Sequence, residues 1–165
     1  MCSDWKKRLL TRPQKTSFGK AFAKKITAGQ KCLVFAPNIE WMLKFEQVLR
    51  KLYPDLSFEC VHAQDPERKE KIQRMREDKL QCLLTTTILE RGVTFPTIDV
   101  LVIGAEDRIF TEAALVQIAG RAGRSPKFPT GEVIFYHDGQ SQAMKKARKQ
   151  IQKMNHLAKK RGLIE

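Results

Sequence analysis

The chain has 165 residues, of which 42% are hydrophobic and 30% charged, and its formal net charge is +13. These values are typical of one globular domain with a buried core, and the chain is too short for two such domains. No apolar run approaches the roughly 18 residues that a membrane-spanning helix needs, and the N-terminus lacks the apolar core of a signal peptide. We therefore expect a cytoplasmic location, with a peripheral position at the inner face of the membrane as an open alternative.

The positive charge is concentrated at the two ends of the chain. Residues 1–31 hold nine Lys or Arg and one acid, and residues 140–165 hold eight and one. The segment between them holds fourteen basic and sixteen acidic residues, and is close to neutral. Basic ends of this kind favour a polyanionic partner, although solvated helix faces would explain them as well.

The middle of the chain alternates strand and helix patterns. Five near-continuously apolar segments, typical of parallel strands covered on both faces, lie at 31–36, 56–61, 80–86, 99–104 and 131–136. Residues 39–53 carry an apolar stripe with helical spacing, Asp65 and Pro66 predict the start of a second helix, and Thr111 predicts the start of a third. This alternation predicts an α/β domain with a mainly parallel sheet.

Two helical flanks are expected around this core. We divide the single domain, residues 1–165, into a basic helical flank (1–30), an α/β core (31–138) and a basic C-terminal helix (139–165). The four cysteines are widely spaced and form no CxxC pair, so the sequence predicts no metal site and no disulfide framework. Three of them fall in predicted strands, where a cysteine behaves as a small apolar residue.

The segment "QIAGRAGRS", residues 117–125, indicates phosphate chemistry. Arg121 and Arg124 each follow a glycine, and Gln117 precedes them by one helical turn. A guanidinium fork can hold two phosphate oxygens at once. If the helix that starts at Thr111 runs to about Arg124, the three side chains share one face. The alternative is a helix that ends in glycine, with the arginines offsetting the negative end of its dipole.

The sequence contains no segment that would cradle the phosphate itself. The pattern GxxxxGK[ST] is absent, and no Asp-Glu pair follows a strand as a Mg²⁺ holder would. The arginines are therefore expected to point outward, at a nucleotide held by another domain or subunit. Threonines 85–87 end the third predicted strand, at the edge where parallel α/β sheets bind ligands. Threonine is also an ordinary strand former, which is the alternative explanation for this triplet.

Three segments resemble motifs IV, V and VI of the superfamily 2 helicases in order and spacing. They are "LVFAPNIE" at 33–40, "TTTILERGVTFP" at 85–96 and "QIAGRAGR" at 117–124. The resemblance implies the second RecA-like domain of that core, a three-layer α/β fold with a mainly parallel sheet and additional flanking helices. Within the superfamily, ERGVTFP followed by QIAGRAGRS most resembles the late-competence DNA-uptake branch (ComFA type). The primosomal restart helicases (PriA type) have the next most similar motifs.

The resemblance also implies how a nucleotide is handled. ATP and Mg²⁺ would be held mainly by an N-terminal RecA-like domain that these residues do not contain. Arg121 and Arg124 would be arginine fingers, Gln117 would help to place the γ-phosphate or the attacking water, and Gly92 would approach the nucleotide through its backbone. Thr94 stands where many relatives have an aspartate that touches the ribose, and its hydroxyl lacks the charge and the second acceptor oxygen.

A track for single-stranded DNA is implied as well. Thr86 and Thr87 would bind a DNA phosphate, and Pro37 and Asn38 would line the same track. His62 follows a predicted strand in a loop that faces DNA in such enzymes, although a lone histidine is more often structural. Phosphate contacts of this kind position a strand without reading its sequence.

The expected function is that of the C-terminal motor domain of an ATP-dependent single-stranded-DNA translocase for DNA uptake in bacterial competence. Its partners would be single-stranded DNA, the N-terminal RecA-like domain and other competence proteins. Alone, these residues should neither hydrolyse ATP nor bind it tightly. Two alternatives stay open: a replication-restart or branch-migration helicase, and a non-catalytic module that binds DNA or a partner.

Overall fold

The computed structural model describes residues 4–86, 98–122 and 131–160. The helices are α1 (Asp4–Thr11), a short 3-10 helix (Pro13–Lys15), α2 (Ser17–Thr27), α3 (Ile39–Leu52), α4 (Arg68–Arg76), α5 (Glu112–Ala119) and α6 (Gln142–Lys160). The strands are β1 (Cys32–Phe35), β2 (Phe58–Val61), β3 (Cys82–Thr85), β4 (Asp99–Ile103) and β5 (Val133–Tyr136). Each strand lies within one of the five predicted segments.

The five strands form one sheet in the order β2-β3-β1-β4-β5. All four pairings are parallel, so the prediction of a parallel sheet is confirmed. β1 lies at the centre, where Val34 is in register with Leu84 of β3 on one side and with Leu101 of β4 on the other. The first strand in the chain is therefore the one around which the others are arranged.

Helices pack against both faces of the sheet and bury them. On β1, Leu33 and Phe35 point into a cluster that also holds residues of α4, α5 and α6. Cys32 and Val34 point into a second cluster with residues of α1, α2 and α3. Because alternate residues of a strand face opposite sides, burial on both sides favours an apolar residue at nearly every position. This explains why the strand segments are near-continuously apolar.

Helix caps agree with the sequence at one predicted start and differ at the other. Thr111 caps α5 by accepting a hydrogen bond from the Ala114 N–H at 3.1 Å, as predicted. The prediction that α4 starts at Asp65 and Pro66 is wrong, because the helix begins at Arg68. Asp65 instead accepts the Glu67 N–H at 2.9 Å, which closes a local turn before the helix starts.

Candidate functional site

The segments that follow the strands meet at one edge of the sheet, the carboxyl edge, because all five strands run parallel. His62 follows β2, Thr86 follows β3, and Pro37 and Asn38 come shortly after β1. Since β3 lies between β2 and β1, these residues form a row across three neighbouring strands. The residues predicted for the DNA track that the structure describes are thus brought together.

The row contains one exposed side chain, that of Asn38. Its Oδ1 accepts the Trp41 N–H at 2.8 Å and so caps α3. The cap does not use the NH₂ group, which is the donor that could reach a phosphate oxygen. Pro37 is buried and Thr86 is only 5% exposed, so both lie beneath the surface among the described residues. Thr87 lies outside the described residues.

His62 is half-buried and carries a polar atom that the described residues do not satisfy. Its Nδ1 is buried and has no hydrogen-bond partner among them. A buried polar atom without a partner is uncommon and costs about 1–3 kcal/mol.

A buried ion pair fixes the loop that carries His62. Lys71 Nζ lies 2.7 Å from Asp65 Oδ2 and donates to the Cys60 carbonyl at 3.0 Å. Asp65 in turn donates its N–H to the His62 carbonyl at 3.1 Å. Burial would raise the pKa of the Asp65 carboxyl, but the hydrogen bonds from Lys71 and the Glu67 N–H, together with the charge of Lys71, outweigh it and the pKa lies below its usual value. No local pattern of residues predicted this pair.

The arginine segment departs from the predicted geometry. α5 ends at Ala119. The next amides bond to carbonyls three residues back, as in a 3-10 turn: the Arg121 N–H to the Ile118 carbonyl at 3.0 Å and the Ala122 N–H to the Ala119 carbonyl at 3.2 Å. The expected helix to about Arg124 is therefore wrong, and Gln117 and Arg121 do not share a continuous helical face. Glycine costs about 1 kcal/mol in a helix, and one follows Ala119 directly.

Gln117 and Arg121 are nevertheless near each other, because Gln117 lies in the last turn of α5 and Arg121 follows just after it. Gln117 is exposed and Arg121 is half-buried. Burial lowers the pKa of the Arg121 guanidinium, which still stays charged at neutral pH. α5 leads from the carboxyl end of β4 back towards the start of β5, so this pair is displaced along the strand direction from Thr86. Gly92, Thr94 and Arg124 lie outside the described residues.

The N-terminal flank contributes to the carboxyl edge in a way that the sequence did not predict. Trp5 Nε1 donates to Glu106 Oε1 at 2.6 Å, and Lys6 Nζ lies 3.9 Å from Asp107 Oδ2. Both acids follow β4, so α1 is held over the end of that strand. Gly104 has a positive φ of 68°, and a Cβ there would overlap the Trp5 ring.

No described helix is both long enough and apolar enough to cross a membrane.

The sequence matches the family described as "Helicase conserved C-terminal domain" over residues 16–126. It is 41% identical over 159 residues to "Competence protein ComFA" of Bacillus subtilis, covering 96% of this chain and 34% of that protein. The protein of the same name from Streptococcus pneumoniae is 44% identical over 126 residues, covering 76% of this chain and 29% of that protein. The chain thus spans about a third of the length of these relatives.

Among solved structures, the fold is similar to domain 2 of the DEAD-box helicase Mss116p bound to an RNA duplex. The TM-score is 0.59 at 23% identity, covering 72% of this chain and 46% of that one. A likeness at this identity concerns the fold alone, and it confirms the RecA-like architecture expected from the three motifs.

Proposed function

The chain belongs to the family of helicase conserved C-terminal domains, and on that premise we propose that it is the second motor domain of an ATP-driven single-stranded-DNA translocase for DNA uptake in competence. The similarity to a competence protein over 96% of the chain carries this proposal. The family match, residues 16–126, also contains every residue assigned to nucleotide or DNA. The activity of the whole protein is part of the proposal, because the relatives are about three times as long.

The nucleotide half of the proposal assigns roles to the end of α5 and the segment after it. Arg121 and Arg124 neutralise the charge that develops on the γ-phosphate, and Gln117 places that phosphate or the attacking water. The half-buried position of Arg121 supports this, since a partly desolvated guanidinium interacts more strongly with an anion than a fully hydrated one. Gly92 and Thr94 would approach the nucleotide from motif V.

Mg²⁺ is expected to come with the ATP rather than to be held by this domain. Among residues 4–86, 98–122 and 131–160, no group of three or more His, Cys, Asp or Glu side chains could hold a metal ion. We therefore assign no step to a metal bound by these residues. In the proposal, ATP and Mg²⁺ are held mainly by an N-terminal RecA-like domain.

The DNA half of the proposal places a single strand along the carboxyl edge. The exposed Asn38 NH₂ group can donate to its phosphates, and the half-buried His62 lies at the same edge. Thr86, Thr87 and Pro37 complete the track. ATP binding would close the cleft between the two motor domains and release would open it, so that the two domains grip the strand alternately.

The test is ATP hydrolysis by a protein that joins this chain to its nucleotide-binding domain, measured with and without single-stranded DNA. Arginine fingers contribute on the order of 10³–10⁵ in turnover, so Arg121→Ala should lose at least about 10² while still binding ATP. Arg121→Lys should lose nearly as much, because lysine keeps the charge and loses the planar fork. The matched control is Arg76→Ala, which removes an exposed arginine at the end of α4.

Unchanged turnover in Arg121→Ala, with stimulation by DNA intact, would contradict the finger assignment for that residue. An absence of any ATPase in the wild-type protein, together with salt-sensitive DNA binding, would favour the non-catalytic module instead. Stronger stimulation by forked DNA than by plain single strands would favour a restart helicase.

A further inference from the structure

A cavity of about 420 Å³ lies between the N-terminal flank and the carboxyl ends of β4 and β5. We call it the flank pocket. Leu9, Phe18 and Ile103 form part of its wall and are each 4% exposed or less, so the wall is apolar and well packed. The volume falls within the range of about 300–1,000 Å³ that is usual for sites of small ligands.

The rim of the flank pocket is cationic. Arg8, Arg12 and Lys15 line it together with one carboxylate, that of Asp138. Arg8 Nη2 lies 3.6 Å from Asp138 Oδ1, so that carboxylate is already neutralised. The side chains of Arg12 and Lys15 are exposed and have no ion-pair partner among the described residues. Two cations are therefore left to act on a ligand.

An apolar wall below uncompensated cations matches the chemistry of a nucleotide. The base and sugar present apolar surface, and the phosphate carries a negative charge that Arg12 and Lys15 can approach. Proteins that bind single strands combine cationic grooves with apolar or aromatic contacts to the bases. The volume is of the size that suits a small ligand such as one nucleotide.

The position of the pocket connects it to the proposed DNA track. Asn38 follows β1, and β4 and β5 are the next two strands of the sheet. A strand that crosses His62 and Asn38 along the carboxyl edge would reach the flank pocket if it continued in the same direction. The track would then cover all five strands instead of three.

We propose that the flank pocket binds one nucleotide of a DNA single strand, with its phosphate on Arg12 and Lys15 and its base against the apolar wall. This inference rests on the proposed function for the nature of the polymer. A free nucleotide presents the same phosphate and base, and the experiment therefore includes it as a separate ligand.

The experiment measures binding of a fluorescein-labelled dT15 to the full chain by anisotropy, at several salt concentrations. The test variant combines Arg12→Gln and Lys15→Gln. The matched control combines Lys20→Gln and Lys24→Gln, which removes the same charge from exposed positions of α2 outside the pocket. All four residues are exposed, so both variants should fold, and circular dichroism checks this.

The test variant should bind dT15 about tenfold more weakly at 0.1 M salt, and the control within about twofold of wild type. Each phosphate contact to a single strand contributes about 0.7 to the slope of log K against log salt. Because Arg12 and Lys15 hold one phosphate between them, its loss should reduce the slope by about 0.7 in the test variant. Binding should also change the fluorescence of Trp5, which lines the pocket and is one of only two tryptophans.

Three results would overturn the inference. Equal weakening in both variants would indicate a diffuse basic surface without a pocket. Equal and tight binding of dT15 by wild type and both variants would show that the flank pocket does not bind the strand, while the track across the other strands could still hold. The ATPase test of Arg121→Ala does not depend on this result. Binding of dTMP or inorganic phosphate, lost in the test variant while dT15 does not bind, would make the pocket a site for free anions.

Discussion

Replacement of Lys25 by methionine should strongly destabilise the domain, because this lysine compensates a buried carboxylate. Lys25 Nζ lies 2.8 Å from Asp99 Oδ2 and 2.5 Å from Glu132 Oε2. The side chains of Lys25 and Asp99 are only 13% and 8% exposed, whereas that of Glu132 is 57% exposed. The contact joins the last turn of α2 to the first residue of β4.

The magnitude follows from what each substitution leaves behind. Lys25→Met leaves the Asp99 carboxylate with the Glu132 N–H, 2.9 Å away, as its remaining donor. Removal of one partner from a buried pair costs about 3–5 kcal/mol, and we expect about 3 because that donor remains. Glu132→Gln should cost about 0–1 kcal/mol, since its carboxylate is mostly in water. Lys25→Met combined with Asp99→Leu should recover part of the loss, because no unpaired buried charge remains and the Glu132 carboxylate is mostly in water.

The assay is urea unfolding followed by tryptophan fluorescence, which both buried tryptophans report. Burial would lower the pKa of Lys25, but the two carboxylates outweigh it and raise the pKa above its usual value. The contribution is therefore complete below the unfolded-state pKa of about 10.4 and is lost as the pH rises through the folded-state value. A loss below about 1 kcal/mol in Lys25→Met, or a double variant less stable than the single one, would refute the reasoning.

Three further predictions concern the caps, the flank and the thiols. Asn38→Ala should cost about 1 kcal/mol in unfolding free energy through the lost cap, whereas Asn38→Asp should keep the stability and weaken binding of dT15. Gly104→Ala should destabilise by about 2 kcal/mol more than Gly29→Ala, measured by urea unfolding, because both have positive φ but only the first would push its Cβ into Trp5. Burial raises the pKa of the cysteines in β1, β2 and β3, so Ellman's reagent at pH 8 should leave all three unmodified until the protein is unfolded.

The strands were predictable because burial on both faces leaves a simple trace in the sequence. Every residue of β1, from Cys32 to Phe35, is buried, and a run of apolar residues follows directly from that requirement. The capping role of Thr111 was predictable for a similar reason, since its hydroxyl bonds an amide only three residues away. Such features depend on neighbours in the chain.

The helix boundaries were less predictable, because several local bonds compete there. Asp65 accepts the Glu67 N–H and pairs with Lys71, and the helix starts only after that turn. At the end of α5, the amides of Arg121 and Ala122 bond to carbonyls three residues back, whereas the helix uses carbonyls four residues back. Alternative helix ends differ by only a small free energy, and the spacing of apolar residues does not predict which one forms.

The sequence by itself determined the strands, the parallel α/β class and the helicase motifs, because each is a local pattern or a fixed order of short segments. Only the tertiary structure decided what the basic N-terminal flank does. Trp5 bonds to Glu106 across 101 positions, and Lys25 bonds to Asp99 and Glu132 across 74 and 107. Contacts between such distant residues have no periodicity in the sequence, since it is the order of the strands that brings them together.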